Sequence, residues 1–326
     1  MRVLVAGATG AIGRPLVERL VQSGHHVIAT TRAPDNAQSV RKLGATAMLM
    51  DGLDAASVGE TVARAEPDAI IHQMTALAGK PDLRHFDRWF AKTNELRTTG
   101  TQHLLAAAAA SGVSRFVAQS YTGWNNAREG GPVKTEDDPL DSSPAKAQRE
   151  TQAALQVLES AVMEAPLVGI VLRYGNFYGP AVSDSLVEMV RKRMMPILGD
   201  GAGVWSWIHI DDAAAATVAA LERGERDIYN VTDDEPARGS EWLPYLADVI
   251  GAKRPFRLPA WLGRVVAGDV AVQWMTEGRG ASNAKAKRSL GWRPTWPSWR
   301  DGFRDAFGDA TRLANARRTA AHGATA

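Results

Sequence analysis

Three glycines near the amino terminus are spaced for main-chain contact with a phosphate-bearing ligand. They form a G-x-x-G-x-x-G pattern that follows the apolar run at 3–6 and opens a helical pattern. A tight turn and a close approach to a pyrophosphate both exclude a Cβ atom, and a helix amino terminus offers free N–H groups to an anion. The pattern predicts a dinucleotide site, with an unliganded glycine-rich turn as the alternative. The expected contact positions are Gly7, Thr9, Gly10, Ala11, Ile12 and Gly13.

The residues that follow the next two strands indicate which dinucleotide is bound. Arg32 ends the second β-branched run, where an acidic residue would bind the adenosine ribose of NAD. A guanidinium instead suits a 2′-phosphate, which it binds by charge-assisted bidentate bonds. We therefore expect NADP(H) rather than NAD(H); the alternative is a solvated surface arginine beside bound NAD. Asp51 is placed to accept from the adenine amino group, and Gly52 and Met74 are expected in the same site.

The elements that must position these residues alternate along the chain. Apolar, β-branched runs at 3–6, 27–31, 47–50, 69–72, 116–119 and 168–172 predict strands. Helical patterns separate them, including long ones at about 86–111 and 145–164, whereas 121–144 has the composition of a loop. This alternation predicts an α/β fold of the Rossmann type, a doubly wound parallel sheet with helices on both faces.

The alternation loosens after residue 179, which predicts two lobes. Residues 1–179 would form the NAD(P)-binding domain, rejoined by about 205–235, where a strand-then-helix pattern returns. Residues 180–204 and 236–310 would form a smaller C-terminal substrate-binding lobe. Its tryptophans could form an aromatic pocket, but most of them are assigned to its core. Residues 311–326 have little apolar content and are expected to be a flexible tail.

The composition excludes several classes of function. The 38 basic and 36 acidic residues leave a net charge of only +2, which gives no electrostatic reason to expect nucleic acid or an anionic membrane as a partner. The chain has no cysteine, so disulfides and thiolate chemistry are excluded. The seven histidines show no metal-binding spacing, and no metal is expected. The apolar run at the amino terminus is too short for a signal peptide, and a cytoplasmic protein is expected.

Eight short motifs then occur in order between residues 1 and 306. They are GATGAIG at 7–13, Asp51 with Leu53-Asp54, PDAIIH at 67–72, Asn94 with Gly100-Thr101, RFVAQS at 115–120, LRYGNFYGP at 172–180, WIHIDDAA at 207–214 and LGW at 290–292. In this order they resemble the extended short-chain dehydrogenases/reductases, which include the NAD-dependent epimerases and dehydratases. The resemblance implies a nicotinamide cofactor, a small-molecule substrate and a homodimer through the helices at about 86–111 and 145–164.

The resemblance also implies catalytic residues, and here the chain departs from the pattern. Such enzymes act through a Ser/Thr and a Tyr-x-x-x-Lys pair, in which the lysine binds the nicotinamide ribose and lowers the pKa of the tyrosine. Lys146 fits the lysine register, which puts Ser142 at the tyrosine position, while the Ser/Thr position falls on Ser120 or Tyr121. Either Tyr121 supplies the phenol from the strand end, or the tyrosine-dependent step is lost. Tyr174 is expected near the nicotinamide.

Two further departures concern the substrate. Dehydratases of the family carry an Asp-Glu pair after the serine, where this chain has Thr122-Gly123-Trp124. Nucleotide-sugar enzymes often carry an arginine where this chain has Trp205, although Arg191 or Arg193 is an alternative source of charge. The leading hypothesis is an NADPH-dependent oxidoreductase that reduces a carbonyl of a small apolar or aromatic molecule. The alternatives are an NAD-dependent nucleotide-sugar epimerase and a dinucleotide-sensing regulator without turnover.

Overall fold

The computed structural model describes residues 1–77, 81–180 and 182–308, so the expected tail at 311–326 lies outside the described residues. The strands are β1 Arg2–Ala6, β2 His26–Thr31, β3 Thr46–Leu49, β4 Ala69–His72, β5 Arg115–Tyr121, β6 Val133–Lys134, β7 Val168–Tyr174, β8 Asn176–Tyr178, β9 Ile197–Leu198, β10 Val204–Trp205, β11 Trp207–His209, β12 Asp227–Val231, β13 Ala237–Arg238, β14 Arg257–Leu258 and β15 Gly280–Ala281. The α-helices are α1 Gly13–Gln22, α2 Ala37–Arg41, α3 Ala55–Ala65, α4 Phe86–Glu95, α5 Thr101–Ala110, α6 Arg149–Glu164, α7 Asp184–Arg191, α8 Ile210–Arg223, α9 Gly239–Val249, α10 Ala260–Ala267, α11 Asp269–Glu277, α12 Ala284–Leu290 and α13 Trp299–Phe303.

A seven-stranded parallel sheet organises these elements in the order β12-β7-β5-β4-β1-β2-β3. The order reverses beside β1, so the loops after β1 and β4 meet at the carboxyl edge, where doubly wound sheets bind their ligands. The predicted fold class is confirmed. The sequence analysis missed β12, whose segment DIYNV mixes polar and apolar residues because it is the edge strand beside β7.

Helices cover both faces of the sheet, as the continuous apolar strands require. One buried cluster joins the sheet to α1, α8 and α12, and the other joins it to α3, α5 and α6. The predicted helix at 86–111 consists of α4, a π-helical turn at Leu96–Gly100 and α5. The predicted helix at 145–164 begins as a 3-10 turn, Lys146–Gln148, before α6.

A third buried cluster lies outside the main sheet, among residues of α7, α9, α11 and α13. Trp242 and Trp299 are fully buried there, in agreement with their assignment to a core, whereas Trp261 on α10 is 66% exposed. Helices α10 and α11 form a hairpin that turns at Gly268, whose φ of +90° favours glycine. The limits of the two predicted lobes stay a prediction.

Candidate active site

The glycine loop after β1 has no room for side chains where it approaches the neighbouring strand. Gly7 has a φ of +92°, and a Cβ atom there would lie 2.6 Å from the carbonyl oxygen of Gln73. A Cβ atom on Gly13 would collide with the carbonyl oxygen of Gly7. Helix α1 begins directly after this turn with no side-chain cap and no acidic residue in its first turn. The loop therefore fits a pyrophosphate, because its free N–H groups and the helix dipole favour an anion.

The residues predicted for the adenosine end follow β2, β3 and β4 at the same edge. Arg32 is exposed and forms no hydrogen bond or ion pair with the residues that the structure describes. Asp51 is exposed, and one carboxylate oxygen accepts from the N–H of Leu53 at 3.1 Å, which leaves the other without a partner in the described part of the chain. Gly52 lies against Met74, since a Cβ atom on Gly52 would lie 2.5 Å from the methionine sulfur.

Tyr121 ends β5, at the edge where the loop after β1 also lies. Its hydroxyl donates to Oδ1 of Asn176 at 3.0 Å, and Nδ2 of Asn176 donates to the carbonyl of Ser206 at 3.0 Å. The second bond fixes the orientation of the amide, because a carbonyl can only accept. Burial raises the pKa of Tyr121, so the phenol is neutral and acts as a donor. The phenol is held in place by Asn176.

Ser120 points to the opposite face of the sheet from Tyr121, as successive residues of a strand do. Its hydroxyl donates to Glu159 at 2.6 Å. Glu159 also accepts two bonds from the guanidinium of Arg173, at 2.8 and 2.6 Å, and all three side chains are buried. The structure therefore places Ser120 in a buried ion cluster and does not bring it to the phenol.

The other residues predicted around the nicotinamide are dispersed. Ser142 and Lys146 are exposed, whereas Ala145 and Ala147 on either side of Lys146 pack into the cluster that includes Tyr121. The structure does not bring Lys146 to the phenol. Tyr174 is buried in the main core, where its hydroxyl pairs with Thr217 at 2.6 Å and Gln73 at 3.3 Å.

A small cavity of about 10 Å³, walled by aromatic side chains, lies beside Tyr121, and we call it the indole cavity. The ring of Tyr121 stacks on Trp124 with centroids 5.2 Å apart, and Trp124 stacks on Trp274 at 5.8 Å and 9°. Trp205 meets Trp274 edge-on at 6.1 Å. The residues that line the cavity are Tyr121, Gly123, Trp124, Asn176, Val204, Trp205, Trp274 and Gly278.

Hydrogen bonds hold two of the indoles at fixed angles. The indole N–H of Trp274 donates to Oε1 of Gln148 at 3.1 Å, and that of Trp205 donates to the carbonyl of Trp274 at 3.2 Å. Gln148 is fully buried at the start of α6, one turn before buried Gln152. The sequence analysis missed Gln148 and did not single out Trp274 among the tryptophans of the smaller lobe. Two glutamines at i and i+4 on the apolar face of a helix are the signal that could have found this site.

A family model with the description NAD dependent epimerase/dehydratase family matches residues 3–232. The chain belongs to this family. A curated relative from Streptomyces, named 3-diazoavenalumate denitrifying reductase, is 43% identical over 93% of this chain and 99% of its own length. A 2-alkyl-3-oxoalkanoate reductase from Stenotrophomonas maltophilia is 26% identical over 78% of this chain and 77% of its own. The resemblance to extended short-chain dehydrogenases/reductases is thereby confirmed.

Solved structures of epimerase/dehydratase family members have the same architecture. A UDP-glucose 4-epimerase of Thermus thermophilus, solved with NAD, superposes with a TM-score of 0.72 at 25% identity and covers 96% of this chain and 99% of its own. A UDP-glucose 4-epimerase of Thermotoga maritima, solved with UDP-glucose, has a TM-score of 0.74 at 22% identity, covers 96% and 99%, and supports the fold alone. This epimerase/dehydratase family member is therefore an NAD(P)-binding oxidoreductase of Rossmann fold.

Proposed function

We propose that the chain is an NADPH-dependent reductase whose substrate is a small aromatic molecule that packs against the rings around the indole cavity, which must widen to admit it. One observation carries this proposal: Trp124, Trp205 and Trp274 wall a cavity at the carboxyl end of β5, beside the site expected for the nicotinamide. Trp205 stands where the resemblance leads one to expect an arginine for a nucleotide sugar. An indole in place of a cation favours a flat group without negative charge at the reacting end of the substrate.

The polar groups of the cavity support the same substrate class. Among the residues that the structure describes, no charged side chain lines it, and its side-chain polar atoms belong to the phenol of Tyr121, the amide of Asn176 and the indoles. Arg193, an alternative source of charge, lies over the ring of Phe256 at 5.3 Å instead. A nucleotide diphosphate would find no counter-charge among these walls.

A carbonyl is one candidate for the group reduced, and the relatives named ketoreductase and oxoalkanoate reductase favour it. The reduced nicotinamide supplies a hydride when it is bound. The alkoxide formed from the carbonyl then needs a proton, and Tyr121 is the tyrosine that lines the indole cavity. Its proton already bonds to Asn176, burial raises its pKa, and Lys146 does not contact it. The tyrosine–lysine pair that the resemblance implies is therefore incomplete.

A diazo group is the second candidate, and we favour it because its reduction does not require a proton from a tyrosine–lysine pair. The 43% identical relative is named as a denitrifying reductase of a diazo compound. A hydride that adds to the terminal nitrogen of an aryl diazonium gives an aryldiazene, Ar–N=NH. Loss of N₂ moves that hydrogen to the ring carbon and leaves the arene. No proton from the protein enters the balance, and the neutral aromatic walls suit a delocalised cation.

The preference for NADPH rests on Arg32, whose guanidinium has no partner in the described part of the chain. We expect Arg32→Ala to weaken NADPH binding by about 10- to 100-fold, the loss of one charge-assisted contact, and to leave NADH binding within about twofold. Calorimetry of both nucleotides measures this, and Arg64→Ala on α3 is the matched control because it removes an exposed arginine far from the carboxyl edge. Equal affinities for both nucleotides in the parent protein would refute the preference.

Turnover tests the reductase proposal against its alternatives. Oxidation of NADPH is followed with paired panels of aromatic aldehydes and aryl diazonium salts, and N₂ release is measured for the latter. Reduction of either panel supports the proposal. Tightly held NAD on purification, with interconversion of nucleotide sugars, would instead identify an epimerase. NADPH binding without turnover of either panel would identify a dinucleotide sensor.

A homodimer belongs to the same proposal. The exposed residues of α5 and α6 include several small or apolar ones, which suit close packing of helices across a two-fold axis; they are Ala106, Ala109, Ala110, Ala153, Val157 and Ser160. Val157 on α6 is 42% exposed. No helix among residues 1–77, 81–180 and 182–308 has both the length and the apolar character needed to cross a membrane. Cytoplasmic location stays a prediction.

A further inference from the structure

Helix α10 turns its smallest side chains toward the protein and its largest toward solvent. Ala260 and Ala267 pack against the third buried cluster, and Gly263 is buried so closely that a Cβ atom there would lie 3.0 Å from a neighbouring side chain. Trp261 and Val265, by contrast, are 66% and 65% exposed. A surface helix ordinarily does the reverse and buries its large apolar residues. The outward side of α10 therefore has the composition of a contact surface.

The outward side of α10 continues into a concave space of about 570 Å³, here called the outer cleft. The outer cleft is lined by residues 83–85, 87–88, 146–147, 264–265 and 268–269. Arg84 joins its two sides, because its guanidinium donates to the carbonyl of Val265 and a Cβ atom on Gly268 would lie 3.2 Å from its Cγ. Val265 belongs to both surfaces, which together form one continuous area that we call the docking face.

The outer cleft is separate from the indole cavity. Phe86 lies between residues that line the outer cleft, but it is fully buried. Its ring packs edge-on against Trp124 and Trp274, with centroids 5.4 and 5.3 Å away. A ligand of the docking face is therefore not a substrate that reaches the reacting site through this wall.

The acidic residues of the outer cleft are already engaged. The carboxylate oxygens of Asp87 accept from the N–H groups of Glu150 and Thr151, at 3.1 and 2.9 Å, and so cap the first turn of α6. Asp269 pairs with Arg264 at 3.6 Å. Neither carboxylate is therefore left to neutralise the other cations of the outer cleft.

Three cations in the outer cleft remain without an acidic partner among the described residues. Arg88 and Lys146 are exposed and form no hydrogen bond or ion pair with residues 1–77, 81–180 or 182–308. The bond from Arg84 to the carbonyl of Val265 leaves the charge of that guanidinium uncompensated. The docking face thus combines exposed apolar side chains with a positive potential, and its partner must combine apolar side chains with negative charge.

The shape of the docking face selects among partners of that chemistry. A bilayer is flat, so it would contact the outward residues of α10 and leave the recess beside them unfilled. An α-helix with a diameter of about 10 Å and a pitch of about 5.4 Å occupies about 420 Å³ per turn, which is less than the volume of the outer cleft. A helix can therefore enter the outer cleft while its next turn lies along α10.

We propose that the docking face binds an acidic, amphipathic helix of a partner protein. Carboxylates of that helix pair with Arg88 and Lys146, and its apolar side covers Trp261 and Val265. Tryptophan and arginine are the residues that most often dominate the energy of protein interfaces, and a helix laid in a groove is a common mode of recognition. The proposal goes beyond the proposed function, because neither nicotinamide binding nor reduction enters it.

The first test uses two hydrocarbon-stapled helical peptides of about 16 residues as probes. Both carry the same leucines on one side, and the other side carries glutamates in one peptide and lysines in the other. Fluorescence anisotropy measures the affinity of each peptide for the full chain. At low salt we expect the glutamate peptide to bind at least tenfold more tightly than the lysine peptide. Its affinity should fall at least threefold when the ionic strength rises to about 0.3 M, because salt screens exposed charges.

Variants of the docking face test which residues bind the peptide. Trp261→Ser and the double variant Arg88→Glu, Lys146→Glu should each weaken the glutamate peptide by at least tenfold. Leu49→Ser on β3 is the matched apolar control because Leu49 is 54% exposed, and Arg64→Glu on α3 is the matched charge control. Both controls should stay within twofold of the parent. All these side chains are exposed, and thermal unfolding checks that each variant still folds.

Four results would overturn the proposal. Two are equal affinity for both peptides and no binding of either peptide up to about 1 mM. The third is binding to vesicles of phosphatidylcholine and phosphatidylglycerol in about equal parts that Trp261→Ser abolishes while the glutamate peptide does not compete, because the docking face would then contact lipid. The fourth is a parent dimer that Trp261→Ser converts to a monomer in light scattering, because the docking face would then contact a second copy of this chain.

Discussion

Replacement of Tyr121 by phenylalanine separates a phenol that transfers a proton from one that only shapes the cavity. The substitution removes one hydroxyl and leaves the ring that stacks on Trp124. It also leaves Oδ1 of Asn176 without the donor that it has at 3.0 Å. The structural cost and the chemical cost of the change can therefore be measured on the same variant.

The structural cost follows from the exposure of the group. A neutral hydrogen bond contributes about 0.5–1.5 kcal/mol, and an acceptor left buried and unpaired costs about 1–3 kcal/mol. Tyr121 is half-buried, so we expect a loss of about 1 kcal/mol in the free energy of unfolding and of about 2 °C in Tm. Tyr178→Phe is the matched control, since its buried hydroxyl has no partner within the described residues, and its removal should cost nothing.

The chemical cost depends on the group that is reduced. A general acid contributes about 10²- to 10⁴-fold, so Tyr121→Phe should lower kcat/KM by at least 100-fold for an aldehyde that uses the phenol. For a diazonium salt, whose reduction takes no proton from the protein, the loss should stay below tenfold. Because burial raises the pKa of Tyr121, ionisation of this phenol should not change either rate below about pH 10.

The assay is steady-state oxidation of NADPH with both substrates, together with thermal unfolding of the parent, Tyr121→Phe and Tyr178→Phe. A loss of 100-fold or more for the diazonium salt, with Tm lowered by only about 2 °C, would show that the phenol takes part in that reaction. The case for a proton-independent acceptor would then be wrong. Equal small losses for both substrates would show that Tyr121 is a wall residue for either chemistry.

Two further predictions concern stability. Glu159→Gln should lower the free energy of unfolding by about 3–5 kcal/mol in urea titrations, because it leaves the buried guanidinium of Arg173 without its counter-charge; a loss below 1 kcal/mol would contradict the ion cluster. Burial lowers the pKa of His72 to about 4, below its unfolded value near 6.5, so the unfolded chain binds more protons between these values. Stability should fall by about 2 kcal/mol from pH 7.5 to 5, and His72→Gln should remove that part of the pH dependence; an unchanged slope would refute the assignment.

The fold could be predicted from the sequence because the patterns that indicate it are local. A buried parallel strand is a short apolar run, and the turn after β1 requires glycine at Gly7 for a reason that lies within one loop and its neighbour. Six strands of the sheet follow from such runs. The seventh, β12, is an edge strand whose polar Asp227 and Asn230 interrupt the pattern, and its place is fixed by pairing with β7.

The cavity could be predicted from the sequence only in part, because its walls come from distant parts of the chain. Trp124 and Trp205 attracted attention because they stand where the family motifs carry other residues, but the sequence did not predict that they wall one cavity. Trp274 lies in a helix that the family motifs do not reach, and its indole is held by Gln148, 126 residues away. No local pattern distinguishes a tryptophan that packs a core from one that faces a cavity, since both are largely buried and both lie on the apolar side of a helix.

Lys146 shows that a residue's position in a sequence motif does not by itself establish where its side chain lies. The lysine was located from the Tyr-x-x-x-Lys register, at the start of the helix predicted for 145–164. The structure has a 3-10 turn at that point, so Lys146 faces solvent and Gln148 takes the buried position. Side chains two positions apart on a helix differ in direction by more than half a turn. One of them can therefore face a cavity while the other faces solvent. A phenol that no lysine contacts lacks the cation that would lower its pKa, and this is the physical reason why we favour a diazo group, whose reduction takes no proton from the protein.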